Sequence, residues 1–272
     1  MNRLLSTIAT TALCTAFLAF SGCGKGETPK TQEAAAAEVK PVTLSVFAAA
    51  SLTEALTEIS ELYKASAPAV TLSYNFDSSG KLQTQIENGG EADIFFSAGQ
   101  KQMDAIAEEY VDPATRKDLL VNEIVLIVPE GNKAGVASFE DCMTDKVKLI
   151  SIGGAGVPVG QYTEELFTYL KGWDKIKAKA SLGTNVKEVL AQVKSGSVDC
   201  GVVYATDAAT EKAVAVVTTA PEGSHKPAVY PAAVLKKTAN PAEAKAFLDF
   251  LSSPEATAVF EKIGFGIVKP QS

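Results

Sequence analysis

The chain has one histidine among its 272 residues, so it cannot build a catalytic metal centre on several imidazoles. That residue, His225, would pair with Cys200 as nucleophile and base only if a third group oriented them, and the sequence supplies none. A hinge or surface histidine is the expectation. Basic residues are not in excess: 25 Lys and Arg face 32 Asp and Glu, for a net charge of −7. With no basic tail or stripe, no nucleic-acid partner is expected. No Gly-x-Ser-x-Gly occurs, so the nucleophile elbow of an α/β hydrolase is missing. Ser79-Gly80-Lys81 lacks the first glycine of a P-loop, because Asn75 stands there, and Leu82 follows the lysine. Gly154-Ala155-Gly156 opens like a dinucleotide fingerprint but meets Val159 where the last glycine belongs. After residue 41 there is no internal repeat and no long linker.

What is present begins with a leader. Arg3 precedes a mostly apolar run from Leu4 to Phe20, which closes on Ser21-Gly22-Cys23. Small residues after a short run read as a secretory signal over 1–22, not as a membrane span with a basic stop. Leu18-Ala19-Phe20-Ser21-Gly22-Cys23 resembles a bacterial lipoprotein cleavage box, with Phe20 where that family usually has leucine. The resemblance implies that Cys23 carries the lipid. Residues 24–40 are small and polar, too poor in apolar groups to order themselves. With Cys23 they form an expected tether over 23–40, with a reach of about 20–25 Å. Cleavage removes Cys14 and leaves Cys142 and Cys200 in the folded part, where an oxidising compartment permits a disulfide between them.

From Pro41 strand and helix patterns alternate. Strands are expected at 42–48, 70–74, 93–96, 123–128, 147–152, 201–204, 214–217 and 229–234. Helices are expected at 52–66, 80–87, 100–108, 158–170, 186–194, 206–212 and 241–251. The alternation predicts an α/β fold with mostly parallel sheets covered on both faces.

The strand-to-helix corners carry the chemistry. Ala48-Ala49-Ala50-Ser51 leads to Glu54, which predicts a capping box between Ser51 and Glu54. Asp77-Ser78-Ser79-Gly80 opens the next helix. Glycines at 153, 154, 156 and 160 surround a helix start at Pro158, and Asn185 is a plausible cap before Val186. Each corner offers free N–H groups at the positive end of a helix. Any one of them alone is usually only a cap. Several at the carboxyl ends of neighbouring strands would make a neutral anion site.

At these corners the chain resembles the molybdate-binding periplasmic proteins of ABC importers. The resemblance rests on Val46-Phe47-Ala48-Ala49-Ala50-Ser51-Leu52-Thr53, Ser78-Ser79-Gly80-Lys81-Leu82 and Ala92-Asp93-Ile94-Phe95-Phe96-Ser97-Ala98. It continues through Val157-Pro158-Val159-Gly160-Gln161-Tyr162, Gly201-Val202-Val203-Tyr204-Ala205-Thr206-Asp207-Ala208 and Tyr230-Pro231. It implies a two-lobed, hinged fold of the type II periplasmic binding class. Lobe 1 would be 41–121 plus 229–272 and lobe 2 would be 122–228, with crossings near 120–123 and 224–230. It also implies an oxyanion held by the hydroxyls of Ser51 and Ser79, the amides of Ser51, Ser79, Val159 and Val186, and the phenol of Tyr204. Val159 stands where the family often has alanine, a change that a backbone donor tolerates. Asp77 puts a carboxylate near this site in an orientation that the sequence leaves open.

The expected function is therefore capture of molybdate or tungstate by an exported, lipid-anchored, monomeric binding protein. It would serve a membrane permease, with no cofactor, no protein-ligated metal and no enzymatic step. Another tetrahedral oxyanion such as sulfate, or a hydrolase on an α/β scaffold, are the alternatives. Molybdate, tungstate and sulfate carry no proton at neutral pH and need only donors. Monohydrogen phosphate also needs an acceptor, so a donor-only site rejects it.

Overall fold

The computed structural model describes residues 40–268. The leader, Cys23 and the tether as far as Val39 lie outside the described residues. Among the described residues no helix is long and apolar enough to cross a membrane.

The fold has two sheets. The first is ordered β11-β4-β10-β3-β1-β2. Its strands are β1 (Val42–Ala49), β2 (Val70–Asp77), β3 (Ile94–Phe96), β4 (Lys117–Asn122), β10 (Ala228–Val234) and β11 (Gly266–Ile267). The second is ordered β7-β6-β8-β5-β9. It contains β5 (Ile124–Pro129), β6 (Ile150–Gly153), β7 (Ala180–Gly183), β8 (Cys200–Tyr204) and β9 (Val214–Thr219). The chain passes from first sheet to second through Glu123 alone and returns through residues 220–227. Helices α1 (Thr53–Ser66), α2 (Ser79–Glu87), α3 (Gln100–Tyr110), α8 (Pro241–Phe250) and α9 (Pro254–Ile263) accompany the first sheet. Helices α4 (Pro158–Tyr169), α5 (Trp173–Lys177), α6 (Val186–Lys194) and α7 (Ala205–Ala209) accompany the second.

The α/β expectation holds, with one correction. The sheets are mixed, not mostly parallel. β1 pairs in parallel with β2 and β3, and β6 with β7 and β8. β10 and β4 pair antiparallel in the first sheet, as β5 does with β8 and β9 in the second. The reason is topological. β5 and β10 are the first strands after each passage between the sheets, and both run against the direction of their neighbours.

Packing follows from the strand period. In β1, Phe47 faces one side while Val46 and Ala48 face the other. In β3, Phe95 and Phe96 divide in the same way. Phe47 and Phe95 join Leu82, Ile86, Met103 and Ile106 under α2 and α3. Phe96 joins Leu56, Ile59 and Phe260 under α1 and α9. Each fully buried side chain of this size stabilises the fold by about 1.5–3 kcal/mol. Burial on both faces also explains why β3 and the second half of β1, Val46–Ala49, read as continuous apolar runs.

Candidate oxyanion-binding site

The five predicted site residues meet at one small cavity between the sheets. Ser51 lies in a 3-10 turn, Ala50–Leu52, directly after β1. Ser79 is the first residue of α2, directly after β2 and its cap Ser78. Val159 and Val186 occupy the first turns of α4 and α6, which follow β6 and β7. Tyr204 ends β8. All five are buried. In a first helical turn the amide has no intrahelical acceptor, so the N–H groups of Val159 and Val186 are available to the cavity. The space these residues enclose holds little more than one water-sized molecule. It suits a small ion and excludes a sugar or an amino acid.

The capping box expected at Ser51 and Glu54 is not formed. Ser51 Oγ turns inward to the hydroxyl of Tyr230, 3.1 Å away, and Glu54 pairs with Lys187. Thr53 Oγ1 instead bonds the carbonyl of Ala50 at 2.7 Å. The reciprocal arrangement occurs at α6, where Asn185 Oδ1 accepts from the Glu188 amide (3.0 Å) and Glu188 from the Thr184 amide (2.6 Å).

Hydrogen bonds fix the serine hydroxyls from behind. Ser79 Oγ accepts from the Ala98 amide at 2.9 Å. The Ala98 carbonyl accepts from the Tyr204 hydroxyl at 3.3 Å, so in this geometry that phenol rests on the opposite wall. Burial, first, holds the Tyr204 phenol well above its usual range, and neighbouring phenols add to this. It is a neutral donor throughout the physiological range. Asp77 Oδ1 accepts from the Ser78 amide (2.7 Å), Lys81 Nζ (3.2 Å) and Asn185 Nδ2 (3.3 Å). Its charge is therefore matched beside the cavity.

Four contacts close the walls on each other: Tyr204 on Ala98, Asn185 on Asp77, Lys187 on Glu54, and the Gly80 amide on the Gly156 carbonyl at 2.9 Å. A side chain at 80 would put its Cβ 2.3 Å from that carbonyl oxygen, so only glycine permits the approach. Lys187 Nζ lies 2.8 Å from Glu54 Oε1 and 3.0 Å from Asp207 Oδ1. Asp207 is fully buried, and among the described residues neither of its oxygens has a hydrogen bond of good geometry. The ammonium gives it a charge partner without a directional bond. Burial outweighs that partner and pushes the Asp207 carboxyl up to about 6. For Lys187 burial pulls the other way, and the two carboxylates outweigh it to raise the ammonium above its usual value. Sequence reasoning missed Lys187, Glu54, Asn122 and Tyr230, which stand behind the cavity lining and tie its walls together. Their contacts span 84 to 179 residues, beyond the reach of any local pattern.

Cys142 and Cys200 stand together in the second lobe as buried free thiols, with Sγ atoms 3.7 Å apart. His225 packs its ring against Tyr162 and makes no pair with Cys200. Among the described residues no cluster of three His, Cys, Asp or Glu could hold a metal ion. A larger cleft of about 680 Å³ opens beside Ser45, Asp93 and Asn240, at the amino end of β1. Ligands of such sheets bind at the carboxyl ends, and Asp93 is already engaged by the Ser45 amide and the Thr238 hydroxyl.

Comparison with known proteins agrees with this geometry. A family model described as bacterial extracellular solute-binding protein matches residues 44–266. The Bacillus subtilis (strain 168) protein YvgL, whose name describes an ABC transporter substrate-binding lipoprotein, is 40% identical over 257 residues, 93% of this chain and 95% of its own. The molybdate-binding protein ModA of Escherichia coli (strain K12) is 38% identical over 231 residues, 82% of this chain and 89% of its own. A solved substrate-binding domain assigned to a molybdenum ABC transporter of Clostridium difficile is 42% identical. It superposes with a TM-score of 0.65 over 84% of this chain and 100% of that one.

Proposed function

The chain belongs to the bacterial extracellular solute-binding proteins, and from that premise we propose that it captures molybdate or tungstate and delivers it to an ABC importer. One observation carries the reading. Two serine hydroxyls and two helix N-termini from different sheets converge on a cavity that fits one small ion. The relatives named for molybdate supply the ligand class.

In this reading Ser51, Ser79, Val159, Val186 and Tyr204 hold the oxyanion. The lobes comprise 41–121 plus 229–272 and 122–228, and Glu123 with 220–227 forms the hinge. Ligand stabilises the closed arrangement because only that arrangement brings all donors within reach of one ion. The Tyr204 phenol leaves the Ala98 carbonyl for the anion. The mature protein is a monomer, exported and held at the outer face of the cytoplasmic membrane or in the periplasm by a lipid on Cys23. It performs no chemical step. The lipoprotein name of YvgL supports the anchor. The closeness of Cys142 and Cys200 supports a disulfide after export, formed as a compartment disulfide accepts the two electrons. Two reactive thiols in the denatured, unreduced protein would exclude it.

Calorimetric titration with molybdate, tungstate, sulfate and phosphate tests the reading. Tight binding of the first two with little heat from the others is expected. Tight sulfate or phosphate binding would overturn the ligand, and silence from all four would overturn the oxyanion site.

A further inference from the structure

Ser51 serves a donor-only site only if its hydroxyl proton points into the cavity. A free hydroxyl rotates and can accept as readily as donate. The structure removes that freedom through a directional chain that begins at the hinge. Asn122 ends β4, one residue before the chain crosses to the second sheet. Its Oδ1 accepts from the Glu123 amide at 2.9 Å, which identifies the other side-chain atom as nitrogen. That nitrogen donates to Thr206 Oγ1 at 2.8 Å and to the Tyr230 hydroxyl at 3.2 Å. An amide nitrogen can only donate, so the phenol oxygen is an acceptor toward Asn122. Tyr230 is fully buried, and its hydroxyl lies 3.1 Å from Ser51 Oγ; the Tyr204 phenol beside it gives its own proton to the Ala98 carbonyl and stands outside direct hydrogen-bond geometry. A buried phenol proton without an acceptor would be costly, so it goes to Ser51. Ser51 then accepts from Tyr230 and has its own proton free for the cavity.

We infer that Tyr230, held by Asn122, is a positioning and specificity-determining residue that locks Ser51 into the donor role. Tyr230 does not line the cavity and acts through Ser51. Ser79 is held by the same logic with a simpler part, since the Ala98 amide can only donate to it. The two serines therefore face the ion with protons, and a protonated anion meets no acceptor in either. Burial raises the Tyr230 phenol well above its usual value, so the chain keeps its direction at any pH the protein meets. Its rings continue the arrangement: Tyr230 packs edge-on between Tyr204 and Phe265, which fixes where the hydroxyl sits.

The inference rests on the oxyanion reading, and its test separates the two. Molybdate is titrated into the wild-type protein, Tyr230→Phe, Ser51→Ala and the double variant, and phosphate is measured by competition. Tyr230→Phe is expected to weaken molybdate about tenfold in the wild-type background and to change it by less than about threefold in the Ser51→Ala background. Phosphate is expected to gain on molybdate in Tyr230→Phe, because Ser51 is then free to accept its proton. An equal loss in both backgrounds, or no loss with Ser51 present, would overturn the inference while leaving the oxyanion reading intact. No molybdate binding by the wild-type protein would overturn both. If Tyr230→Phe folds poorly, Asn122→Asp keeps the shape and makes the partner an acceptor. The phenol proton then turns away from Ser51, which must donate to the phenol. The expected loss of affinity shrinks to the bare effect of the added charge once Ser51 is alanine. The same loss in both backgrounds would overturn the inference.

Discussion

The first wall of the cleft presents side-chain hydroxyls, Ser51 and Ser79, each hydrogen-bonded from behind, Ser51 by the Tyr230 hydroxyl and Ser79 by the Ala98 amide. The second wall presents the backbone amides of Val159 and Val186 in the first turns of α4 and α6. On the first wall the identity of the residue matters, because the donor is the side chain. On the second wall the path of the backbone matters, because any residue except proline carries the donor. The second wall also holds the buried Asp207 and its half-buried partner Lys187, whose ammonium reaches across to Glu54. The walls thus divide the work. In the proposed function one would read the proton content of the ligand, and the other would supply a fixed field and the charged clasp.

The largest effect expected from breaking this division is at Lys187. Lys187→Met leaves Asp207 fully buried without its ammonium, and stability should fall by about 3 kcal/mol. This is the lower end of the usual range because the lysine side chain is 27% exposed. Urea unfolding near pH 7 measures it, and a loss below about 1 kcal/mol would mean the cluster is not structural. The pH dependence sharpens the test. The folded protein keeps the Asp207 proton up to about pH 6, against an ordinary 3.8 for the unfolded chain. The folded state therefore binds more protons in that window, and the Asp207 contribution to stability declines as pH rises from about 4 to about 6. Asp207→Asn removes the slope, so its stability relative to wild type should climb across the same window. A flat difference would show that the carboxyl titrates normally.

Next in size are the hydroxyls. Ser51→Ala and Ser79→Ala should each cost about 1.5–3 kcal/mol of oxyanion binding, the range for a hydrogen bond to a charged group. Calorimetry checks the affinity and thermal melting checks that the fold is retained. Unchanged affinity in both would remove the first wall from the site.

Two glycines separate closure from folding. Gly80 meets Gly156 across the cleft, whereas Gly160 meets Gly153 within the second lobe, where an added Cβ would sit 2.1 Å from a carbonyl oxygen. Gly160→Ala should cost about 1–3 kcal/mol of stability. Gly80→Ala should cost a similar amount of binding and leave the unliganded melting point nearly unchanged, since an open cleft relieves the clash. Loss of stability in both would mean that the walls do not separate.

These contrasts rest on parts of the molecule that the sequence revealed unequally. The corners were legible because each opens a helix with small polar residues or glycines, and α6 runs over the predicted 186–194, although the partly exposed β7 before it was not foreseen. The helix expected to 212 stops at Ala209, where the Thr210 hydroxyl bonds the Asp207 carbonyl and competes with further turns. β4 was missed because its charged start, Lys117-Asp118, masks a short strand that is buried only in its second half. α9 was missed although Ser253, Pro254 and the left-handed Gly264 mark its ends. What no local pattern carries is the chain from Asn122 through Tyr230 to Ser51, or the clasp from Lys187 to Glu54. These exist only once β4, β10 and α6 are brought together.

The smallest effect is the most discriminating test of the second wall. Val159 is fully buried and Val186 is 4% exposed, so alanine at either should cost about 1–2 kcal/mol of stability at about 0.8 kcal/mol per methylene. Oxyanion affinity should change by less than about threefold, because the amide stays where the helix puts it. Val186→Pro makes the contrast. Position 186 opens α6, where proline fits the helix, and Asn185 before it already has the extended backbone that proline requires (φ −156°, ψ 174°). The substitution keeps the corner and deletes one N–H. Binding should then weaken about as much as in a serine variant, while far-ultraviolet circular dichroism stays unchanged. If alanine at 186 weakens binding as much as proline does, the side chain and not the amide is what the second wall offers. The two walls would then be alike in kind.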